Sequence, residues 1–306
     1  MKKRTAALPV LVFLITYYSS QAQYYYYYDD KYYEKALVVE TGISAGIMNA
    51  LTDLGGKKGT RKNFIRDLNW KNSKPCFSLY VAGIYKYVLG IKLETSFGSI
   101  QGADSILKPV ASSTFGRYER NLSFKSRIRD LQLSFEVHPL FFRQYREYES
   151  PFFSPYLTAG VGYFSFEPTA RLNGRWYSLQ PLHTEGQGSA LYPDRLPYKL
   201  GQFNIPVGLG IRYEISSLFS ARLEIIHRIL FTDYLDDVSK AYVSPELFAM
   251  LSPQQAAIAR QLADRQSELN PNHLTQPGAQ RGDPSHNDAW FSIQLKLGIN
   301  LRRPAR

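Results

Sequence analysis

Residues 290–301, WFSIQLKLGINL, sort their side chains by parity. Phe291, Ile293, Leu295, Leu297, Ile299 and Leu301 fall on one face, and Ser292, Gln294, Lys296, Gly298 and Asn300 on the other. A period of two held over this length is a strand whose faces meet different surroundings. The pattern recurs over residues 36–48, 128–138, 205–215 and 219–231, and less regularly over 76–86, 91–98 and 155–166. Eight strands are therefore expected.

The connections alternate in length. Links two–three, four–five and six–seven are short, whereas the other four run to roughly 25, 25, 35 and 55 residues, the asymmetry of an outer-membrane barrel with periplasmic turns and extracellular loops. The chain thus reads as all-β, an eight-stranded antiparallel up-and-down transmembrane barrel over residues 36–301, with both termini periplasmic.

A soluble barrel also alternates, so charge must decide which face points outward. Lys296, Arg222 or Arg228 facing lipid would each cost about 2–4 kcal/mol near the bilayer midplane. Facing inward, the polar parity offers six acids (Glu40, Glu94, Asp130, Glu136, Glu214, Glu224) and six bases (Lys86, Lys92, Arg212, Arg222, Arg228, Lys296) that can pair. Eight strands leave an interior just wide enough for side chains to fill. A cross-braced plug is expected, which weighs against the alternative of a narrow channel.

The first 22 residues have the form of an export signal: a basic start at Lys2-Lys3-Arg4, an apolar stretch to Tyr18, and the small-x-small site Ser20-Gln21-Ala22. The formal charge is +11, and three of those cations leave with the leader. For an exported basic chain, the expected counter-charge is anionic outer-membrane lipid and lipopolysaccharide rather than nucleic acid. Residues 23–35 form a Tyr-rich periplasmic stub, and residues 302–306 a basic tail. Cys76 is the only cysteine, so no disulfide holds the fold.

Candidate chemistry concentrates in the long connections. FTDYLDDVS, residues 231–239, places Asp233, Asp236 and Asp237 at the end of the seventh strand. They read first as caps that anchor the loop to backbone N–H groups or arginines. Calcium is the alternative, since clustered carboxylates suit hard cations. Ser252-Pro253-Gln254-Gln255 fits a helix N-terminus, with a modest apolar stripe reaching about Glu268. In TEGQG, residues 184–188, two glycines flank Gln187 as in a tight turn. Arg281-Gly282-Asp283 spells an adhesion-type tripeptide. A lipid-modifying enzyme is the rival function and needs a Ser near a His and an orienting carboxylate. His227 lies on the apolar parity and His138 on the polar one, and both read as structural. No catalytic residue and no cofactor is assigned.

The motifs FTDYLDDVS, LQPLHTEGQG, YPDRLPY, LADRQSE and QRGDPSHNDAW carry a resemblance. Together they resemble the Bacteroidota outer-membrane β-barrel family that includes PorG-type components of the type IX secretion system, over about residues 36–301. The resemblance implies an OmpA-like barrel without enzymatic activity. In the secretion branch, such a barrel docks periplasmic ring or lipoprotein partners to the outer membrane. Thr184, Glu185, Gly186, Gln187, Gly188, Asp233, Tyr234, Asp236, Asp237, Arg281 and Gly282 fall on signature loop positions, for which the family supplies no catalytic role. Two departures stand out: Asp283 where the family pattern has Asn, and an end NLRRPAR without a terminal aromatic.

Overall fold

A computed structural model describes residues 37–57, 68–114, 116–143, 151–216 and 218–301. The leader, the Tyr-rich stub and the basic tail lie outside the described residues. Eight long strands close on themselves. They are β1 (Leu37–Leu51), β2 (Lys74–Tyr85), β3 (Leu89–Ala103), β4 (Ser123–Val137), β5 (Phe153–Leu172), β7 (Gly201–Glu214), β8 (Phe219–Leu230) and β9 (Ala289–Asn300). Each pairs antiparallel with its neighbour in the chain, and β1 closes the circuit against β9. A short strand absent from the sequence expectation, β6 (Arg175–Ser178), pairs with the far end of β5.

One end of the barrel has the short connections 86–88, 138–152 and 215–218, and the other has the long ones, 52–73, 104–122, 173–200 and 231–288. At the turn end and middle, the outer wall is apolar. Leu131, Leu133 and Phe135 of β4, Leu209 and Ile211 of β7, and Leu295 and Leu297 of β9 are all exposed. Aromatic side chains edge this belt at both ends, with Tyr85, Phe153, Tyr213 and Phe219 toward the turns and Phe77, Tyr163, Phe203 and Phe231 toward the loops. An apolar band between aromatic girdles is a surface built for lipid.

The strands outrun that band, and beyond it the two faces exchange character. Along β5 the outward parity reads Phe153, Pro155, Leu157, Ala159, Val161, Tyr163, then Ser165, Glu167, Thr169 and Arg171. The inward parity reads Ser154, Tyr156, Thr158, Gly160, Gly162, then Phe164, Phe166, Pro168, Ala170 and Leu172. β4 exchanges likewise: Arg127 and Arg129 are exposed while Phe124 and Ile128 are buried. Residues 153–163 cover the span of about 9–11 residues that a tilted membrane strand needs. The rest of β5 stands clear of lipid as an ordinary water-soluble barrel, greasy inside and polar outside.

The exchange explains why the sequence pattern ends early on several strands. Alternation with apolar residues at one parity stops near residues 98 and 166 and begins only near 128, although β3, β5 and β4 extend past those points. Lys86 is a second correction. It has lumenal parity, but β2 ends at Tyr85, and Lys86 sits exposed in the turn with φ 49°.

A charge on the lipid wall is the direct test of this layout. Leu133→Arg, at the middle of the outward run of β4, is expected to destabilise the barrel by about 2–4 kcal/mol in urea titrations in phospholipid vesicles. Serine at Arg127, above the belt, is expected to change stability by less than about 0.5 kcal/mol, as at an ordinary surface position.

Candidate functional site

Two buried systems fill the barrel. In the belt region the lumen carries Glu40, Lys92, Glu94, Asp130, Glu136, Arg212, Glu214, Arg222, Glu224, Arg228 and Lys296, all buried. With Lys86 outside, five bases face six carboxylates, and every carboxylate touches a base. Arg222 Nε donates to Glu40 (2.7 Å) and its NH1 to Glu136 (2.8 Å). Arg212 donates from Nε to the other oxygen of Glu40 (2.9 Å) and also holds Glu214. Lys92 binds Glu224 and lies 3.1 Å from Glu136; Lys296 binds Glu94 and lies 2.9 Å from Glu224. Tyr80 and Tyr156 add hydroxyl donors to Glu40 and Glu224. Glycine makes room for both rings: a Cβ on Gly42 would lie 2.7 Å from Tyr80, and one on Gly210 2.5 Å from Tyr156.

Arg228 ends the charged tier. Its Nε donates to Asp130 (2.9 Å), and its guanidinium lies 3.9 Å from the centre of the Trp290 ring. Above Trp290 the interior is apolar, with Met48, Ile100, Phe124, Ile128, Phe164, Phe166 and Leu230 buried. The helix Pro253–Ala263 lies over this core with Ala256, Ala259, Leu262 and Ala263 buried. Ser252 caps it by accepting from Gln255 N. It stops at Ala263 rather than near Glu268, and Asp264 leaves helical geometry.

The second system knits the four long loops into a cap. Glu185 is its centre: its carboxylate accepts from Ser239 N (3.0 Å), Lys240 N (3.0 Å) and Arg281 NH1 (2.9 Å). Arg281 also donates to the carbonyls of Asp237 (2.6 Å) and Ala263 (3.0 Å). Gln187 turns back to accept from Glu185 N (3.1 Å), between Gly186 (φ 76°) and Gly188 (φ 78°), both in the left-handed region that favours glycine. Leu182, just ahead of this turn, packs into the core below. A Cβ on Gly282 would lie 2.6 Å from the Ser239 carbonyl, so glycine there permits the close crossing of loop arms. Arg120 pairs with Asp104 (2.8 Å) and donates to the carbonyls of Asp53 (2.7 Å) and Arg281 (2.6 Å), joining loops one, two and four.

Two of the three aspartates of the 231–239 segment, Asp236 and Asp237, turn to separate partners. Asp236 accepts from Leu54 N (3.3 Å) and Val238 N (3.0 Å). Asp237, itself at φ 66°, accepts from Thr184 (2.5 Å) and Tyr198 (2.7 Å). Asp233 is buried at the strand end, and Tyr234 stacks on Tyr198 at 5.0 Å. Among the described residues no group of three or more His, Cys, Asp or Glu side chains is placed to hold a metal ion. Nor is the Arg281-Gly282-Asp283 tripeptide displayed, because Arg281 is buried.

Asp104, Arg120 and Tyr198 belong to the cap without being sequence candidates, as do Arg195, which donates to the Glu185 and Ala241 carbonyls (2.8 Å each), and Asp288, which accepts from Leu235 N (2.9 Å). Arg195 and Tyr198 lie inside the YPDRLPY motif, which was the available signal. The Asp104–Arg120 pair lies in loop two, where no motif marks it.

Burial pushes the Asp236 carboxyl up to about 7, with nearby Asp53 adding to the shift. Burial also raises Asp237 to about 6, although Arg281, Thr184 and Tyr198 pull the other way. Both ordinarily titrate at 3.8, so an unfolded loop releases these protons first and stability falls as pH rises from about 4 through about 7. Hydrogen exchange at Val238 and Leu54 is therefore expected to quicken between pH 5 and pH 8 beyond the intrinsic base-catalysed increase. Asp236→Asn should flatten the excess; an unchanged excess in that variant would count against the assignment.

His138 is buried at the turn end, with Nδ1 2.8 Å from Ser154 Oγ and Nε2 3.6 Å from Glu136. The arrangement has the residue types of a hydrolytic triad. However, all three side chains are buried, and Glu136 is already engaged by Arg222 and Lys92. His227 is half-buried on the outward parity of β8, opposite Val207 and Phe291. A cavity of about 640 Å³ opens beside the cap, lined among others by Asp53, Arg117, Arg120, Tyr242 and Arg281.

No family model matches the chain, and no curated protein matches it. Among solved structures it is similar to Ail, the attachment invasion locus protein of Yersinia pestis, crystallised with the heparin analogue sucrose octasulfate. That match has 8% identity, covers 85% of this chain and 97% of Ail, and has a TM-score of 0.36. Neisserial surface protein A is similar at 8% identity, with 87% and 98% covered and a TM-score of 0.34. OprG of Pseudomonas aeruginosa is similar at 10% identity, with 87% and 96% covered and a TM-score of 0.33. These are outer-membrane barrels, but the assignment of an eight-stranded transmembrane barrel stands on this chain's own closed sheet and apolar wall.

Proposed function

We propose that the chain is a non-enzymatic outer-membrane barrel acting as a scaffold or docking protein in the envelope, a PorG-like component of type IX secretion. Its loop end faces outward, and its turns and termini face the periplasm. The observation that carries this reading is the double filling of the lumen. A charged brace stands below an apolar core, and the loop motifs are consumed in holding one another. Such an interior favours a rigid platform over a pore or a reaction chamber. The assignment to secretion rests on the motif resemblance, and the motif residues converge on one cap, which supports their having a shared structural role.

The surface left for a periplasmic partner is the turn end. Its longest connection, 138–152, ends in exposed aromatics, with Phe142 65% and Phe152 48% exposed. A photo-crosslinking residue at Phe142 is expected to capture a periplasmic ring or lipoprotein component in living cells, while the same residue at Leu191 in loop three captures none. Deletion of the gene should impair export by the secretion machine. Normal export together with no adduct at Phe142 would overturn the proposal, as would single-channel conductance above background in planar bilayers.

A further inference from the structure

The aromatic rim of the outer wall is interrupted on β1, where Ala45 and Ile47 face outward, and on β4. At the loop-end boundary most outward positions are aromatic, but β4 presents Lys125, Arg127 and Arg129 on three successive outward positions. Register fixes their height. Arg129 lies opposite Phe97, which stacks with Phe77 at 5.3 Å, and one outward pair above the Leu131–Tyr163 pairing. It therefore sits at the level of the girdle, and Arg127 stands about 7 Å higher along the strand.

These cations are not used to brace the fold. Arg127 and Arg129 are exposed, and neither side chain makes a hydrogen bond or ion pair with another described residue. Glu167, directly opposite Arg127, instead accepts from Ser178 at 2.8 Å. Lys125 lies over the exposed Trp176 ring at 5.7 Å, which holds its ammonium on the same side of the barrel. The flanking outward residues are Phe97, Ser99 and Gln101 on β3 and Ser165, Glu167 and Thr169 on β5, of which only Phe97 is large and apolar. They leave the guanidinium groups open from the side on which lipid packs.

Guanidinium forks match phosphate oxygens in a bidentate manner, and they do so best at a boundary where water is scarce. Directly below, Leu131 and Leu133 continue the same column into the apolar belt. A ligand with an anionic head at Arg127–Arg129 and hydrocarbon along Leu131–Leu133 fits both halves. We propose that Lys125, Arg127 and Arg129 form a docking site for the phosphate of a membrane glycolipid packed against β4. Its occupant belongs to the outer leaflet because the loop end faces outward, so this clause rests on the orientation given under the proposed function.

The purified barrel would be reconstituted in phosphatidylcholine vesicles with a phosphorylated lipid A or with its enzymatically dephosphorylated form. Native mass spectrometry would then count the glycolipid retained after transfer to mild detergent. The wild type is expected to retain the phosphorylated form at least about tenfold more than the dephosphorylated one, with Arg127→Gln/Arg129→Gln losing that preference. A control, Lys108→Gln, should keep it. Equal retention of the two lipids by the wild type would overturn the site, as would an unchanged preference in the double variant or displacement by free phosphate at millimolar concentration. Orientation is read separately, by labelling a cysteine at Leu191 on intact cells. Failure there would remove the leaflet assignment and the topology, while a vesicle preference would leave the phosphate site in place.

Discussion

Arg222→Ala is expected to destabilise the barrel by about 3–5 kcal/mol, the cost of breaking a buried charge pair by removing one partner. Arg222 bridges two carboxylates, Glu40 and Glu136. It donates from Nε to Glu40 at 2.7 Å and from NH1 to Glu136 at 2.8 Å, and it lies 5.5 Å from the ring centres of Tyr80 and Tyr156. Truncation leaves Glu40 to Arg212 and Glu136 to Lys92, so neither is fully orphaned, and the loss should fall toward the lower end of that range. Lysine in its place keeps the charge but cannot span both partners, so Arg222→Lys should lie between wild type and alanine. Urea unfolding in vesicles reads the change. A shift below about 0.5 kcal/mol for the alanine variant would place the residue in an ordinary surface environment.

Arg281→Ala should act on the cap and leave the wall nearly intact. Its side chain ties Glu185 to the Asp237 and Ala263 carbonyls, and its own carbonyl accepts from Arg120. Without it, Glu185 remains buried with its Ser239 and Lys240 N–H donors but no cation, and two carbonyls lose their donor, a cost on the order of 3 kcal/mol. The expected result is local: faster hydrogen exchange at Ser239 and Lys240 and protease cleavage within residues 240–280, with the urea midpoint of the wall shifted much less. Equal loss in cap and wall would mean that the two tiers unfold as one unit. Loops latched to each other above a separately braced barrel should not behave that way.

The belt region was legible because lipid demands one thing of every outward residue, so parity alone sorts Leu295 from Lys296 and Leu223 from Arg222. The protruding tier was not. There water is outside and the core is inside, so Phe164, Phe166 and Ile128 occupy the parity that carries charge lower down, and the alternation that identified the strand runs out. Lys86 misled for a related reason: parity assigns a face only while the strand continues, and β2 ends one residue earlier.

The cap was legible in its members and opaque in its geometry. Glu185, Asp237 and Arg281 are marked by motifs, but their convergence depends on partners 53 residues (Thr184–Asp237) and 96 residues (Glu185–Arg281) apart in sequence. No local rule reports such a closure. The aspartates of residues 233–237 show the limit most clearly. Their density suggests a cation, whereas the left-handed turn at Asp237 sends neighbouring carboxylates to Thr184 and to Leu54 N.

Leu133 and Arg127 share one face of β4, six residues apart, yet one is assigned to lipid and the other to water. Nitroxide labels at single cysteines there, in a Cys76→Ser background and phospholipid bilayers, separate the two by power-saturation EPR. Position 133 should be relaxed by oxygen and shielded from a water-soluble nickel chelate, and position 127 the reverse. Nickel-accessible labels at both positions would contradict a wall that meets lipid.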